Sequence, residues 1–106
     1  MQYDLEAGAV RCATLLDQAH PGWAEKTNLE KLDMASPETE VLSQIFGRFK
    51  DGFYELHLLD SDKDSIELGY YYGIFVPLEV PREDRPALYA KLTKKWKELI
   101  IERRTS

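Results

Sequence analysis

Three aspartates at alternate positions, Asp60, Asp62 and Asp64 in the stretch LLDSDKDSIELG, form the densest group of ligating oxygens in the chain, and the chemistry they suggest is calcium binding. A calcium loop of the EF-hand type needs oxygen ligands at its first, third and fifth positions. It also needs a glycine at the sixth for the sharp turn and a bidentate glutamate at the twelfth. The aspartates meet only the first requirement. Position six is Ser65, position twelve is Tyr71, and Glu67 comes too early to close the loop. The same residues predict a helix start instead, with Asp64 as N-cap and Glu67 as the third helical residue, a variant of the capping box that ends at Gly69.

The remaining reactive residue types are sparse. His20 and His57 are the only histidines and Cys12 the only cysteine, which leaves no metal-ligand cluster of zinc-like spacing. His20 stands in the helix-ending HPG, where it can meet terminal carbonyls as a C-cap. Cys12 lies among Val10, Ala13 and Leu16 and reads as core filler; a single cysteine allows no internal disulfide and agrees with a reducing compartment. Neither G-x-S-x-G, a P-loop nor G-x-G-x-x-G occurs. Acidic pairs such as Glu38 with Glu40, or Asp60 with Asp62, could serve acid–base work, but among 19 acidic residues such pairs read as solvated surface. The expectation is a protein without cofactor or metal, with a small enzyme kept as an alternative behind the binding readings.

Charge is the other chemical signal. The net charge of −5 divides into −9 over residues 1–81 (6 Lys/Arg, 15 Asp/Glu) and +4 over residues 82–106 (8 Lys/Arg, 4 Asp/Glu). A basic tail on an acidic body suits either a phosphate or acidic partner, or pairing of the body with its own C-terminal helix. The second reading is preferred, because an acidic body repels phosphate beside any basic contact. Lys91, Lys94, Lys95, Arg103 and Arg104 are the candidate binding surface, joined by Lys97, with Tyr and Trp nearby for stacking on bases. Glu98 and Glu102 interrupt that stripe. A helix-turn-helix over LSQIFGRFKDGFYELHLL lacks the basic and amide side chains that read a groove in its second element.

These residues need elements to hold them. Leu5, Ala9, Cys12, Ala13, Leu16 and Ala19 recur at helical spacing from about Asp4 to Ala19, before Pro21 and Gly22 stop the helix. Trp23 follows and should pack beneath the next element with its N–H bonded. Leu29, Leu32 and Met34 suggest a single turn capped by Asn28. Ser36, Pro37 and Glu38 predict a helix start, Val41, Leu42, Ile45 and Phe46 its apolar face, and Gly47 its stop. Residues 53–59 and 70–76 read as either short helices or the two strands of a hairpin, since so short an apolar run has no decisive period. From Pro86 to Glu102, Tyr89, Leu92, Trp96, Leu99 and Ile100 make one apolar stripe, with Arg103 and Arg104 at the negative helix end.

At 106 residues, 43% hydrophobic and 31% charged, the composition is that of one ordinary globular domain spanning 1–106. No apolar run approaches a membrane span and the N-terminus lacks the pattern of a signal peptide, so a cytosolic protein with no membrane partner is expected. The fold expected is mainly α, a compact bundle of four or five helices, with the hairpin as the open alternative.

The stretches GWAEKTNLEKLDM, VLSQIFGRF, ELGY and LTKKWKELIIERR carry a resemblance. Through Trp23, Leu29, Leu32, Asp33, Met34, Leu42, Gln44, Gly47, Gly52, Gly69, Leu92, Trp96 and Arg104, the span from Gly22 to Arg104 is similar to a group of small uncharacterised proteins encoded by actinobacterial phages and prophages. The shared positions are mostly apolar and turn residues, so the resemblance implies a common fold and brings no activity or catalytic residue. Members of that group often have a cysteine just before the run corresponding to VLSQ, where this chain has Thr39 and Glu40. The resemblance implies a small phage-encoded protein in a bacterial host cytosol. The function expected is a non-catalytic protein-binding module directed at a host or phage protein; the alternative is a nucleic-acid-binding accessory factor using the basic C-terminal helix.

Overall fold

The computed structural model describes residues 4–56 and 65–105. Among them are six α-helices, α1 (Leu5–Ala19), α2 (Trp23–Lys26), α3 (Val41–Phe46), α4 (Phe49–Glu55), α5 (Ser65–Tyr71) and α6 (Arg85–Thr105), with a 3-10 turn at Arg82–Asp84 ahead of the last. The protein is mainly helical, and no strand occurs among the described residues. The aspartates at 60, 62 and 64, and His57, lie outside the described residues, so the calcium question and the Asp64 cap lie outside them too.

The two long helices form as their spacing dictates. Asp4 caps α1 by accepting the Ala7 N–H at 3.1 Å, and Leu5, Ala9, Cys12, Ala13 and Leu16 are its buried face. On α6, Leu92, Trp96, Leu99 and Ile100 are buried. The two helices pack on each other, and α2 packs on α6. Between them the Trp23 and Trp96 rings meet edge to face, 5.9 Å between centroids at 86°, the arrangement that brings a positive ring edge to a negative ring face. The Trp96 indole donates to the Gly73 carbonyl at 2.8 Å, and the Trp23 indole to Asp17 Oδ1 at 2.9 Å. Trp96 therefore sits where the apolar stripe places it.

Three local expectations are corrected. Ser36, Pro37 and Glu38 do not open a helix. Ser36 closes an isolated turn, its carbonyl accepting from Glu40 N at 3.0 Å, and α3 starts later with Glu40 as N-cap. The Glu40 carboxylate accepts from Leu42 N at 2.9 Å and Ser43 N at 2.6 Å, so one side chain satisfies two orphan donors. The hairpin is also not formed by the described residues. Positions 53–55 belong to α4, whose Phe49 and Phe53 fall on the core side together with Leu56 just after it, 70–71 belong to α5, and 57–59 lie outside the described residues.

Gly69 is the third correction, because the helix runs through it. The stop is Gly73, at φ 69°, with Ile74 N bonding back to Gly69 O at 2.7 Å, a Schellman-type end. Gly69 is glycine for another reason: a Cβ there would lie 2.1 Å from the Phe75 ring, which folds back over the helix. Gly47, at φ 93°, does end α3 as expected.

Candidate functional site

The basic C-terminal helix holds the five residues singled out from the sequence, and the structure does not gather them into one patch. Arg103 lies against Asp17 through two parallel bonds, Nε to Oδ1 at 2.8 Å and Nη2 to Oδ2 at 2.9 Å, and its guanidinium is 5.7 Å from the Trp23 ring centroid. That pairing holds the Asp17 carboxyl below the usual carboxylate range. Arg104 donates from Nε to Ala24 O at 3.0 Å and from Nη2 to Thr27 O, which caps the C-terminal carbonyls of α2. Lys91 reaches Glu6 across the α1–α6 contact, 3.7 Å apart and solvent-exposed. Lys94 is exposed and Lys95 half-buried, and neither forms an ion pair among the described residues. Three of the five thus have partners within the protein.

Cys12 is wholly buried, and burial, with the nearby Glu40 charge adding to it, pushes the thiol far above its ordinary value. A thiol so placed is a packing residue, since the thiolate is the nucleophile. Glu40 is itself 1% exposed, and burial pushes its carboxyl up despite the Leu42 and Ser43 N–H bonds. His20 caps α1 through its backbone, as expected, and its ring packs edge to face on Phe46 at 5.3 Å. Lys26 Nζ lies 3.3 Å from His20 Nε2. Beside it is an open cleft of about 370 Å³ lined by His20, Phe46, Asp51, Tyr54 and Glu55. The described residues contain no cluster of three His, Cys, Asp or Glu side chains that could hold a metal ion.

A second hollow, of about 210 Å³, is lined by Tyr70, Phe75, Val76, Leu78, Arg85 and Tyr89. The chain builds it in three steps. The left-handed stop at Gly73 reverses the path after α5, so that Phe75 returns over Gly69 and meets Phe49 edge to face at 5.0 Å. Arg85, at the start of α6, donates to Pro77 O at 2.7 Å and Val76 O at 3.1 Å and so fixes the returning segment. Leu78 N donates to the Tyr70 hydroxyl at 3.3 Å, and the Leu78 side chain stands 74% exposed at the groove's edge. Charge-based reading missed this site. The available signal was Leu78 itself, a large apolar residue in VPLEVP, where Pro77 and Pro81 bar it from a helix interior.

No helix among the described residues is long and apolar enough to cross a membrane. Comparison with family models, with curated proteins and with solved structures gives no match.

Proposed function

We propose that the chain is a small protein-binding module that acts by presenting the groove around Leu78 to another protein surface, without chemistry on a substrate. The observation that carries this reading is an exposed leucine bordering a hollow walled by two tyrosines, a phenylalanine and an arginine. Binding energy at protein contacts concentrates in aromatic and arginine side chains around small desolvated pockets. Here the anchor residues are held in advance: Arg85 by two carbonyls, the Leu78 backbone by Tyr70. Groups fixed before contact lose less entropy on binding. Under the resemblance to small actinobacterial phage proteins, the module is phage-encoded and works in the bacterial cytosol on a host or phage protein.

The test is a photo-crosslinking residue placed at position 78, with the exposed position 50 as control, irradiated in cells expressing the protein. Adducts of higher mass from position 78 and not from position 50 are expected. If neither position gives an adduct, the groove is not a protein contact.

Lys94 and Lys95, which form no ion pair among the described residues, support the nucleic-acid alternative, in which affinity for duplex falls steeply with salt as counterions are released. Duplex binding near physiological salt that is lost in Lys91→Glu with Lys95→Glu would favour it; the module reading expects none.

A further inference from the structure

We infer that the Leu78 groove takes a basic segment of another protein, with one apolar side chain seated in the hollow and lysines or arginines beside it facing an acidic rim. The inference rests on reading the groove as a protein contact, and it adds the chemistry of the partner.

The first support is size. At about 210 Å³ the hollow is smaller than the roughly 300–1,000 Å³ of pockets that enclose a small-molecule ligand, and it suits one side chain of a larger partner. Phe75, Val76 and Tyr89 are among its walls, and Leu78 stands 74% exposed at the edge. An apolar side chain entering there leaves water and covers Leu78 as it does so. No strand occurs among the described residues, so the groove offers no sheet edge for a partner backbone to join. Contact must run through side chains.

The second support is charge, which selects what flanks that side chain. Four exposed ionised residues lie next to the groove in the chain, Glu79, Arg82, Glu83 and Asp84, three acids against one base. None of them forms an ion pair among the described residues, so their charges are open to a partner. Arg85 is half-buried, and its two terminal nitrogens already donate to Pro77 O and Val76 O, which commits it to the fold. The long-range field has the same sign, since the whole chain carries −5. At about 0.15 M ionic strength the screening length is about 8 Å, so the rim beside the groove decides. Phosphate, an acidic segment and a second copy with the same acidic rim all meet repulsion there. Lysine and arginine meet attraction, and an aromatic ring face such as that of Tyr89 adds to it.

A displayed library of random peptides, selected on the immobilised full chain at physiological salt, tests this without presuming a sequence. The peptides enriched should pair a leucine, phenylalanine or tryptophan with an excess of lysine and arginine. The strongest of them, fluorescently labelled, should bind the full chain in anisotropy titrations, and more weakly as salt rises. Leu78→Ser should weaken that binding about tenfold or more, and Glu79→Lys with Glu83→Lys about tenfold, each keeping the parent's helical spectrum. Glu79→Lys alone, in the turn closed by Val80 N on Pro77 O, replaces the double variant if that one melts early, and should cost about threefold. Val10→Ser, at a 41% exposed site on α1, should bind like the parent. Enriched peptides that are neutral or acidic overturn the inference, as do no enrichment over the bare support and binding that Leu78→Ser leaves unchanged. Crosslinks at position 78 to another protein, together with any of those results, remove the basic partner and leave the groove as a contact. A crosslinked adduct of twice 12.3 kDa would overturn it in favour of a second copy. Absence of both crosslinks and enriched peptides removes both readings.

Discussion

Gly8→Ala is the substitution whose sign says most about how this fold closes. In an open helix interior the change gains about 0.5–1 kcal/mol, because alanine has less backbone freedom to lose. Gly8 lies in α1, but a Cβ there would be 2.5 Å from Tyr71 O and 2.7 Å from Gly73 N. From the other side, a Cβ on Gly73 would be 2.4 Å from Ala9 N and 2.6 Å from Leu5 O. Two backbones therefore cross where neither leaves room for a methyl group. The atoms in the way are main-chain atoms, which cannot swing aside as a side-chain end can.

Relief requires α1 and the turn after α5 to part. That parting pulls on two bonds anchored there, Arg11 Nη2 to Tyr71 O and Trp96 Nε1 to Gly73 O, both 2.8 Å. Overpacking typically costs about 1–3 kcal/mol, and loosening a buried hydrogen bond adds up to about 1 kcal/mol, so after the propensity gain of about 0.5–1 kcal/mol the net is a loss of up to about 3.5 kcal/mol. Urea and thermal unfolding followed by circular dichroism would read it, at roughly 4–8 °C of Tm per kcal/mol. Ala90→Gly, at an exposed position of α6, calibrates the propensity term and should lose about 0.5–1 kcal/mol. A Gly8→Ala protein more stable than the parent would falsify the backbone crossing.

Trp96→Ala should destabilise by about 3–5 kcal/mol, whereas Lys94→Ala on the exposed face should change stability by less than about 0.5 kcal/mol; equal unfolding midpoints would contradict the burial of the indole. Arg104→Gln removes a charged donor from the two α2 carbonyls and should cost about 1–3 kcal/mol in the same assay, with no effect expected if α2 is held only by Trp23. The pH profile should carry two opposed contributions. Burial raises the Glu40 carboxyl, so its stabilisation is full below the unfolded carboxylate value of about 4.3 and is lost as pH rises through the raised folded value. Glu40→Gln should flatten that decline, and an unchanged slope between Gln and parent would refute the burial account. Asp17 behaves oppositely. Arg103 lowers its carboxyl, so its small, partly screened contribution is present above the unfolded value and lost as pH falls through the folded one; Asp17→Asn should weaken the acid-side loss.

How much of the fold could be read in advance depends on run length. In α1 the apolar residues recur over about four turns and in α6 over about three, and of those that set the period Leu5 to Leu16 and Leu92 to Ile100 are buried, while Ala19 is exposed and Tyr89 half-buried. Over seven residues the period does not discriminate. Phe53 and Tyr54, or Tyr70 and Tyr71, fit a strand by type, and what favours the helix is tertiary: Phe49 and Phe75 packing edge to face, and the Phe75 ring over Gly69. Cap chemistry misled in a similar way. Ser36, Pro37 and Glu38 are the right types for a helix start, yet the Ser36 carbonyl closes a turn and the Ser43 hydroxyl donates to Pro37 O at 2.7 Å. The buried Glu40 then becomes the cap, an outcome that depends on the core around it.

The site was less legible because a charge count treats every lysine and arginine as facing water. Arg103 finds Asp17 86 positions away, and Arg104 finds the carbonyls of Ala24 and Thr27 80 and 77 positions away. Such unions are set by how α6 crosses α1 and α2, and no local pattern announces them. Part of the tail's charge is structural, holding the last turn of α6 to the ends of α1 and α2. Once those arginines are assigned to contacts between α6 and the helices beside it, the surface that stands out is apolar and aromatic. It lies at the opposite end of α6, where Arg85 and Tyr89 line the hollow and the last arginines have no part. Disrupting the clasp should therefore lower stability without changing contact at Leu78. Leu78→Asp should do the reverse, so paired measurement of melting and association on Arg104→Gln and Leu78→Asp separates what holds the fold from what it presents.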